Sequence, residues 1–184
     1  MSTSGGIIMK RNIAYWQLFG FLFTGISGVL LHFLYEWSNE SKLSALISGV
    51  NESTWEHMKL LFFPMLAYTF IEGMFLKDGF KNFYCIKLRG TLLGIILIPS
   101  IFYTLNGVFG KTPDWMNITI FFISAAAAYV HEAKLFKKAP LFCFGEGVSL
   151  YILLIWALLF TVFTFTPPKL PIFRDPVTMT YGVY

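Results

Sequence analysis

Five long apolar runs dominate the sequence and restrict the folds open to it. Each is about 20 residues or longer, the length that an α-helix needs to cross the ~30 Å hydrocarbon core of a bilayer. Backbone polar groups find no water there, so a spanning segment of this length is expected to be helical. We therefore predict an all-α membrane protein, a single domain built as a bundle of five transmembrane helices. The predicted spans are 13–37, 55–76, 86–109, 115–136 and 147–166.

The composition agrees with a membrane protein and argues against other classes. Of the 184 residues, 56% are hydrophobic and 13% are charged, which is unlike an ordinary soluble domain. The net charge of +4 would suit nucleic acid only if the basic residues formed one patch or tail, and they lie between the apolar runs instead. We expect the lipid bilayer as partner, with a homo-oligomer or a membrane-protein partner left open, and no nucleic acid.

The basic residues between the runs predict an orientation. Nine Lys and Arg residues fall on one side of the predicted bundle and five on the other. By the positive-inside rule the N-terminus lies in the cytoplasm and the C-terminus outside. Cys85 and Cys143 then both face the reducing cytoplasm, so we expect no disulfide. The proline-rich tail, residues 167–184, is predicted to be extended and to fold back over the outer face as a lid.

Histidine and glutamate residues gather where the first two runs reach the outer face. His32 and Glu36 are four residues apart and share one helix face, and Glu52, Glu56 and His57 lie at the same level at the start of the second run. Two imidazoles and several carboxylates at one depth could bind a divalent cation such as zinc. The candidate metal ligands are His32, Glu36, Glu56 and His57.

Other interpretations of this outer cluster stay open. Ser53 and Glu56 have the spacing of a capping box, and Lys59 could neutralise a nearby glutamate. A proton-handling site is a further alternative. Arg174 of the tail is expected to reach at least one of the surplus carboxylates, or to hydrogen-bond to the backbone of the loop between the first two spans. The full ligand-binding set predicted from sequence is His32, Glu36, Glu52, Glu56, His57, Lys59 and Arg174.

A second polar cluster is predicted at the cytoplasmic ends of the later runs. Ionisable residues are rare inside membranes and are usually paired or functional. Here we expect mostly ion pairs, with Arg89 and nearby lysines neutralising the glutamates. The members are Glu72, Arg89, His131, Glu132 and Glu146.

Several motifs are distinctive. They are L-L-H-F-L-Y-E-W at 30–37, V-N-E-S-T-W-E-H-M-K-L-L-F-F-P at 50–64, R-G-T-L-L-G at 89–94 and P-I-F-R-D-P-V-T-M-T-Y-G at 171–182. With its N-E-S-x-W-E-H and F-R-D-P elements, the chain resembles an uncharacterised family of small multi-pass membrane proteins of Gram-positive bacteria. The resemblance implies a location in the bacterial cytoplasmic membrane, and it implies no catalytic residue.

The sequence alone supports more than one functional hypothesis. The first is a protein that binds or transports a small cation, a proton or a polar solute through the outer His/Glu site. The alternative is a membrane-embedded, metal-dependent hydrolase of lipid or peptide, with a glutamate as general base. A third is a non-catalytic subunit of a membrane complex. Whether the protein is an enzyme stays open at this point.

Overall fold

The computed structural model describes residues 4–110, 113–138 and 142–183, with the side chains of 4–12 and 114 left aside. These ranges contain no β-strand. A single isolated β-bridge within them joins Arg174 to Tyr181. Single 3-10 turns lie at Lys77–Gly79 and Pro171–Phe173. The α-helices are α1 (Ser4–Trp37), α2 (Lys42–Ala45), α3 (Thr54–Leu76), α4 (Phe83–Phe109), α5 (Asp114–Lys137) and α6 (Glu146–Phe165).

Five of the helices are long and apolar enough to cross a membrane. Their bounds differ from the predicted spans by at most three residues. The all-helical class and the five long helices predicted from sequence are therefore confirmed. The apolar stretches are Ile13–Trp37, Thr54–Gly79, Phe83–Phe109, Trp115–Lys137 and Glu146–Phe165.

Helix α3 is the centre of the bundle. Inside its most apolar stretch 67% of the residues are buried, against 17% to 39% in the other long helices. It packs against α1, α4 and α6, and α5 closes the bundle against α1 and α4. Large apolar side chains such as Leu18, Ile26 and Leu158 point outward and are more than 50% exposed. Apolar surface of this extent is typical of contact with lipid or with another protein.

Glycines on α1 and α4 let the helices approach closely. A Cβ atom added at Gly28 would lie 2.5 Å from the ring of Phe121 and 3.2 Å from the backbone oxygen of Leu60. One at Gly94 would lie 2.8 Å from the side chain of Leu61. Contacts this short leave no room for a side chain, so these glycines have the packing role that small residues have between membrane helices.

The tail folds back onto the bundle beside α3. The Phe173 ring is buried, with its centroid 4.7 Å from that of Trp55. The side-chain amide of Asn51 donates to the Gly182 carbonyl (3.1 Å), and the Val183 amide donates to the Thr164 carbonyl (3.2 Å). These contacts pin the tail to the start of α3 and the end of α6.

Substitution of Gly28 tests the helix approach. We expect Gly28→Leu to lower the melting temperature in detergent, because the new side chain overlaps Phe121 and overpacking costs about 1–3 kcal/mol. The control is Gly107→Ala, where an added Cβ meets nothing within 4 Å. Thermal unfolding followed by circular dichroism measures both. Equal melting temperatures for Gly28→Leu and the unaltered protein would show that α1 does not pack on α5 as described.

Candidate functional site

The first polar site is formed by His32, Glu52 and His57, which we call the His–Glu cluster. One carboxylate oxygen of Glu52 lies 3.6 Å from Nε2 of His32, and the other lies 3.5 Å from Nε2 of His57. The two imidazole centroids are 6.1 Å apart. The convergence of the two histidines expected from their equal level on α1 and α3 is thus present, with Glu52 between them. The cluster is partly open, since the side chain of Glu52 is 44% exposed.

The orientation of His57 follows from the start of α3. Ser53 caps the helix, with its side-chain oxygen accepting from the Glu56 amide. Its carbonyl oxygen lies 2.9 Å from Nδ1 of His57, one helical turn further on. A carbonyl can only accept, so Nδ1 carries the hydrogen and Nε2 is left to face Glu52. A ring held in this way is presented with a defined nitrogen toward a ligand or a proton.

A small cleft opens beside the His–Glu cluster. It offers a volume of about 10 Å³, close to the space that one water molecule needs. The side-chain oxygen of Asn117 on α5 is buried and has no hydrogen-bond partner. The cleft is lined by Glu52, Thr54, His57, Ile98, Phe102, Asn117, Ile120 and Phe121.

Glu56 and Lys59 form a separate, fully buried ion pair. Nζ of Lys59 lies 2.6 Å from Glu56 Oε2 and also donates to the Ala45 carbonyl (3.0 Å) and to the Thr164 hydroxyl (2.7 Å). Thr164 in turn donates to Glu56 Oε1 (2.9 Å), and the Val50 amide donates to Oε2 (3.3 Å). The Ser53 half of the predicted capping box is present, but the Glu56 carboxylate turns to Lys59 and not back to Ser53. Glu56 is therefore unavailable to the histidines.

Two further residues of the predicted outer site lie elsewhere. Glu36 is exposed on the last turn of α1. Arg174 is also exposed, and among the described side chains it forms no ion pair with any glutamate. The expectation that Arg174 neutralises the outer carboxylates is wrong, because Lys59 already satisfies Glu56 from within α3. The tail contacts Trp55 and Thr164, which places it beside the Glu56–Lys59 pair, and no tail residue is among those that line the cleft next to Glu52 and His57.

The predicted metal set is not assembled. Within 13–110, 113, 115–138 and 142–183, no group of three or more His, Cys, Asp and Glu side chains has an arrangement that could hold a metal ion. Neighbouring residues on a helix point about 100° apart, and this rotation separates Glu56 from His57. Glu36 points to the surface, so only Glu52 reaches the two histidines.

The second site lies toward the other end of the bundle, where Cys85 and Cys143 also lie. Lys87 of α4 sits between two carboxylates, 2.8 Å from Glu72 Oε2 on α3 and in direct contact with Glu132 Oε2 on α5. The Gln17 amide of α1 donates to Glu72 Oε1 (2.7 Å). Glu72, Lys87 and Glu132 are all 0% exposed. We call these four residues the Lys87 cluster.

The other members predicted for this second site remain outside the Lys87 cluster. Arg89 is exposed and donates to the Phe142 carbonyl (3.1 Å), so its predicted role as counter-ion is wrong. Glu146 accepts from the Tyr84 amide (2.8 Å) at the start of α4. His131 is only partly buried on α5. Lys87, two residues before Arg89, points inward and takes the role expected of Arg89.

Cys85 and Cys143 are joined by a disulfide, against the expectation of two free thiols. The bond ties the segment before α6 to the first turn of α4. Two hydrogen bonds join the same two segments. Arg89 donates to the Phe142 carbonyl, and the Tyr84 amide donates to Glu146. No sequence pattern indicated this pairing. The two cysteines are 58 residues apart in the chain and come together only in the folded structure.

A family model described as a family of unknown function, DUF6512, matches residues 7–183. The chain belongs to this family. No curated protein and no solved structure matches the chain. The resemblance to an uncharacterised family is thus confirmed at the level of the family, and the match to DUF6512 adds no reaction or ligand.

Sequence reasoning missed three members of the two sites. Lys87 was counted as a charge that fixes orientation, although it is the buried counter-ion of two glutamates. Gln17 is uncharged and lies inside the first apolar run, so the sequence gives no sign that it donates to Glu72. Asn117 lies near the start of the fourth predicted span, and nothing in the sequence links it to the two histidines. A signal was present for Lys87, since its position within one turn of the predicted start of the third span would place it close to Glu72.

The Glu56–Lys59 pair can be tested by removing one or both charges. We expect Lys59→Met to destabilise the protein strongly, by ~3–5 kcal/mol, because Glu56 would be left buried without a counter-ion. The double variant Glu56→Gln with Lys59→Met should recover much of this loss. Thermal unfolding in detergent gives all the values needed. If the two substitutions lowered stability additively, the charges would not be paired in the folded protein.

Proposed function

We propose that the chain is a bacterial membrane protein that binds a small cation at the His–Glu cluster as a step in its transport. Among small cations the proton has the best support. The observation that carries the proposal is the position of Glu52, whose two carboxylate oxygens each face one imidazole nitrogen at a partly exposed site.

The hydrogen-bonding groups of His32, Glu52 and His57 favour the binding of a cation. With the hydrogen of His57 on Nδ1, its Nε2 lone pair and the Glu52 carboxylate are both acceptors. Two acceptors that face each other are stabilised when a proton or another cation lies between them, or when a water molecule donates a hydrogen bond to each. The separation of 3.5 Å exceeds the ~2.7–2.9 Å of a direct charge-assisted hydrogen bond. A protonated imidazole needs only a small side-chain movement to close this gap.

The donor set favours the proton over a transition metal. Zinc sites use three protein ligands at least, and the described side chains offer no such arrangement. An imidazole, by contrast, ordinarily changes charge between pH 5 and 8. The adjacent cleft and the unpaired Asn117 oxygen can hold a water molecule that would deliver the proton.

The geometry gives less support to the hydrolase alternative. That mechanism needs a metal held by His32, His57 and one glutamate, and a second glutamate as general base. Glu36 is exposed and Glu56 is engaged by Lys59, so only Glu52 is present at the histidines. One carboxylate cannot serve as both ligand and base.

We also propose that the N-terminus faces the cytoplasm and the tail faces the outside. Lys59 and Lys87 are buried in ion pairs, and the remaining Lys and Arg residues divide eight to four, which supports this orientation. The Cys85–Cys143 pair argues in the other direction, because disulfides rarely persist in the cytoplasm. In the proposed orientation Cys85 and Cys143 face the reducing cytoplasm, so we expect the pair to be present as two thiols in the cell.

Cysteine labelling tests this orientation. We expect both native thiols to be free when cells are denatured directly in a permeant maleimide, because the cytoplasm is reducing. In a Cys85→Ser and Cys143→Ser background, Val183→Cys should react with an impermeant maleimide added to intact cells. A native disulfide already present in the cell, together with an unlabelled residue 183, would mean that the bundle is inserted the other way round.

Proton flux tests the His–Glu cluster. Proteoliposomes with a trapped pH-sensitive dye should take up protons under an imposed potential. We expect Glu52→Gln to slow this uptake roughly tenfold, the effect of ~1.4 kcal/mol, because the amide cannot attract a proton to the imidazoles. Glu36→Gln, an exposed glutamate at the same end, is the matched control and should leave the uptake unchanged.

The same assay identifies other cations and can reject the proposal. Uptake that requires an added divalent metal, and is lost in Glu52→Gln, would assign the site to a metal instead of a proton. Uptake no faster than in empty liposomes, or equal in Glu52→Gln and the unaltered protein, would remove the His–Glu cluster from any transport role.

A further inference from the structure

The charges of the Lys87 cluster do not balance. Glu72 and Glu132 contribute two carboxylates, and Lys87 contributes one ammonium group, all with no exposed surface. Gln17 is neutral. If both carboxylates were ionised, one negative charge would be buried without compensation. Burying an unpaired carboxylate is so costly that such a group normally takes up a proton.

Two buried acceptor atoms in the cluster lack a hydrogen. Three of the four carboxylate oxygens are satisfied, two by Lys87 and one by Gln17. The fourth, Glu132 Oε1, is buried and has no hydrogen-bond partner. The side-chain oxygen of Gln17, a residue only 4% exposed, is unpaired in the same way. Both orphan atoms accept hydrogen bonds, so the missing element is a hydrogen.

No other charged group compensates the cluster from the helices around it. From α3 and α5 the rings of Tyr68 and Tyr129 approach Lys87 Nζ, with centroids at 5.5 Å and 5.2 Å. Their hydroxyl groups are turned away, to the Trp16 carbonyl and to the Thr24 hydroxyl. From α1 the neutral Gln17 is the residue that reaches the cluster. Among the described side chains, Lys87 is the one cation paired with these carboxylates.

The backbone of α4 closes the remaining side of the cluster. A Cβ atom at Gly90 would overlap the Glu132 side chain, so the carboxyl group lies directly against this helix. Glu132 Oε1 is among the atoms that such a Cβ would meet, so the α4 backbone occupies the space on this side of the carboxyl group. The Lys87 cluster can thus accommodate a proton, the smallest cation, without rearrangement.

We propose that the Lys87 cluster is a proton-binding site that holds one proton on Glu132 at Oε1. The occupied cluster is then neutral overall, with ionised Glu72, charged Lys87 and protonated Glu132. Its ligand is the proton itself, held about five residues from the end of α5. This assignment does not rest on the proposed role of the His–Glu cluster, which lies at the opposite end of α3.

Infrared difference spectroscopy of the purified protein at neutral pH tests the assignment. A protonated carboxylic acid has a carbonyl stretch that an ionised carboxylate lacks. We expect one such band, lost in Glu132→Gln and also lost in Glu72→Gln, because a single remaining carboxylate is balanced by Lys87. In Lys87→Gln the band should roughly double, since each buried carboxyl then needs its own proton. Glu36→Gln, an exposed residue, should change nothing.

The spectra of these variants distinguish a proton-binding site from an ion network that has only a structural role. The Glu→Gln changes preserve side-chain volume, so the first two variants decide the question even if Lys87→Gln does not fold. Equal spectra for Glu132→Gln and the unaltered protein would overturn the proposal. A band that persists in Glu72→Gln would also overturn it, because the proton would then not depend on the balance between the two carboxylates and Lys87.

Discussion

Buried charge on the central helix is the constraint on which the rest of the structure depends. Glu56, Lys59 and Glu72 all lie on α3 and are almost fully buried. Among apolar helices no water can compensate these groups, so each must find a partner inside the bundle. Glu72 pairs with Lys87 of α4 and accepts from Gln17 of α1, and Lys87 in turn contacts Glu132 of α5. The Glu56–Lys59 pair is bound to α6 through Thr164. In the membrane location that we propose, lipid would remove most of the hydrophobic drive between helices, so such contacts would fix their register.

Close packing makes these contacts possible. Glu132 can reach Lys87 only because Gly90 leaves room for its carboxyl group against α4. Gly28 gives α1 a similar approach to Phe121 and to the backbone of α3. A small residue on one helix thus faces a polar or aromatic group on another. The glycines of α1 and α4 therefore position the charged groups as well as filling the core.

Sequence reasoning succeeded where the signal was local and failed where it depended on helix rotation. Apolar length predicted the five long helices, and equal level on two helices predicted the meeting of His32 and His57. The choice between Lys87 and Arg89 could not be made in this way. The two are about 200° apart on α4, and only the packing of α4 on α3 and α5 decides which one points inward. The same rotation turned Glu56 away from the histidines, and the Cys85–Cys143 contact appeared only with the tertiary fold.

The two clusters lie at opposite ends of α3 and are separated by an apolar core. His57 and Glu72 are 15 residues apart, about 22 Å of helix, and Leu61, Phe62 and Met65 between them are fully buried. A proton cannot pass this stretch without a change in packing. Pro64 lies within this stretch and has no N–H to donate to the carbonyl of Leu60. Helix α3 therefore lacks one backbone hydrogen bond at this level and bends more easily there. The same Leu60 carbonyl lies 3.2 Å from the position that a Cβ atom on Gly28 would take, so the backbones of α1 and α3 approach each other at this level. Movement that connects the two clusters would therefore begin at the crossing of Pro64 and Gly28.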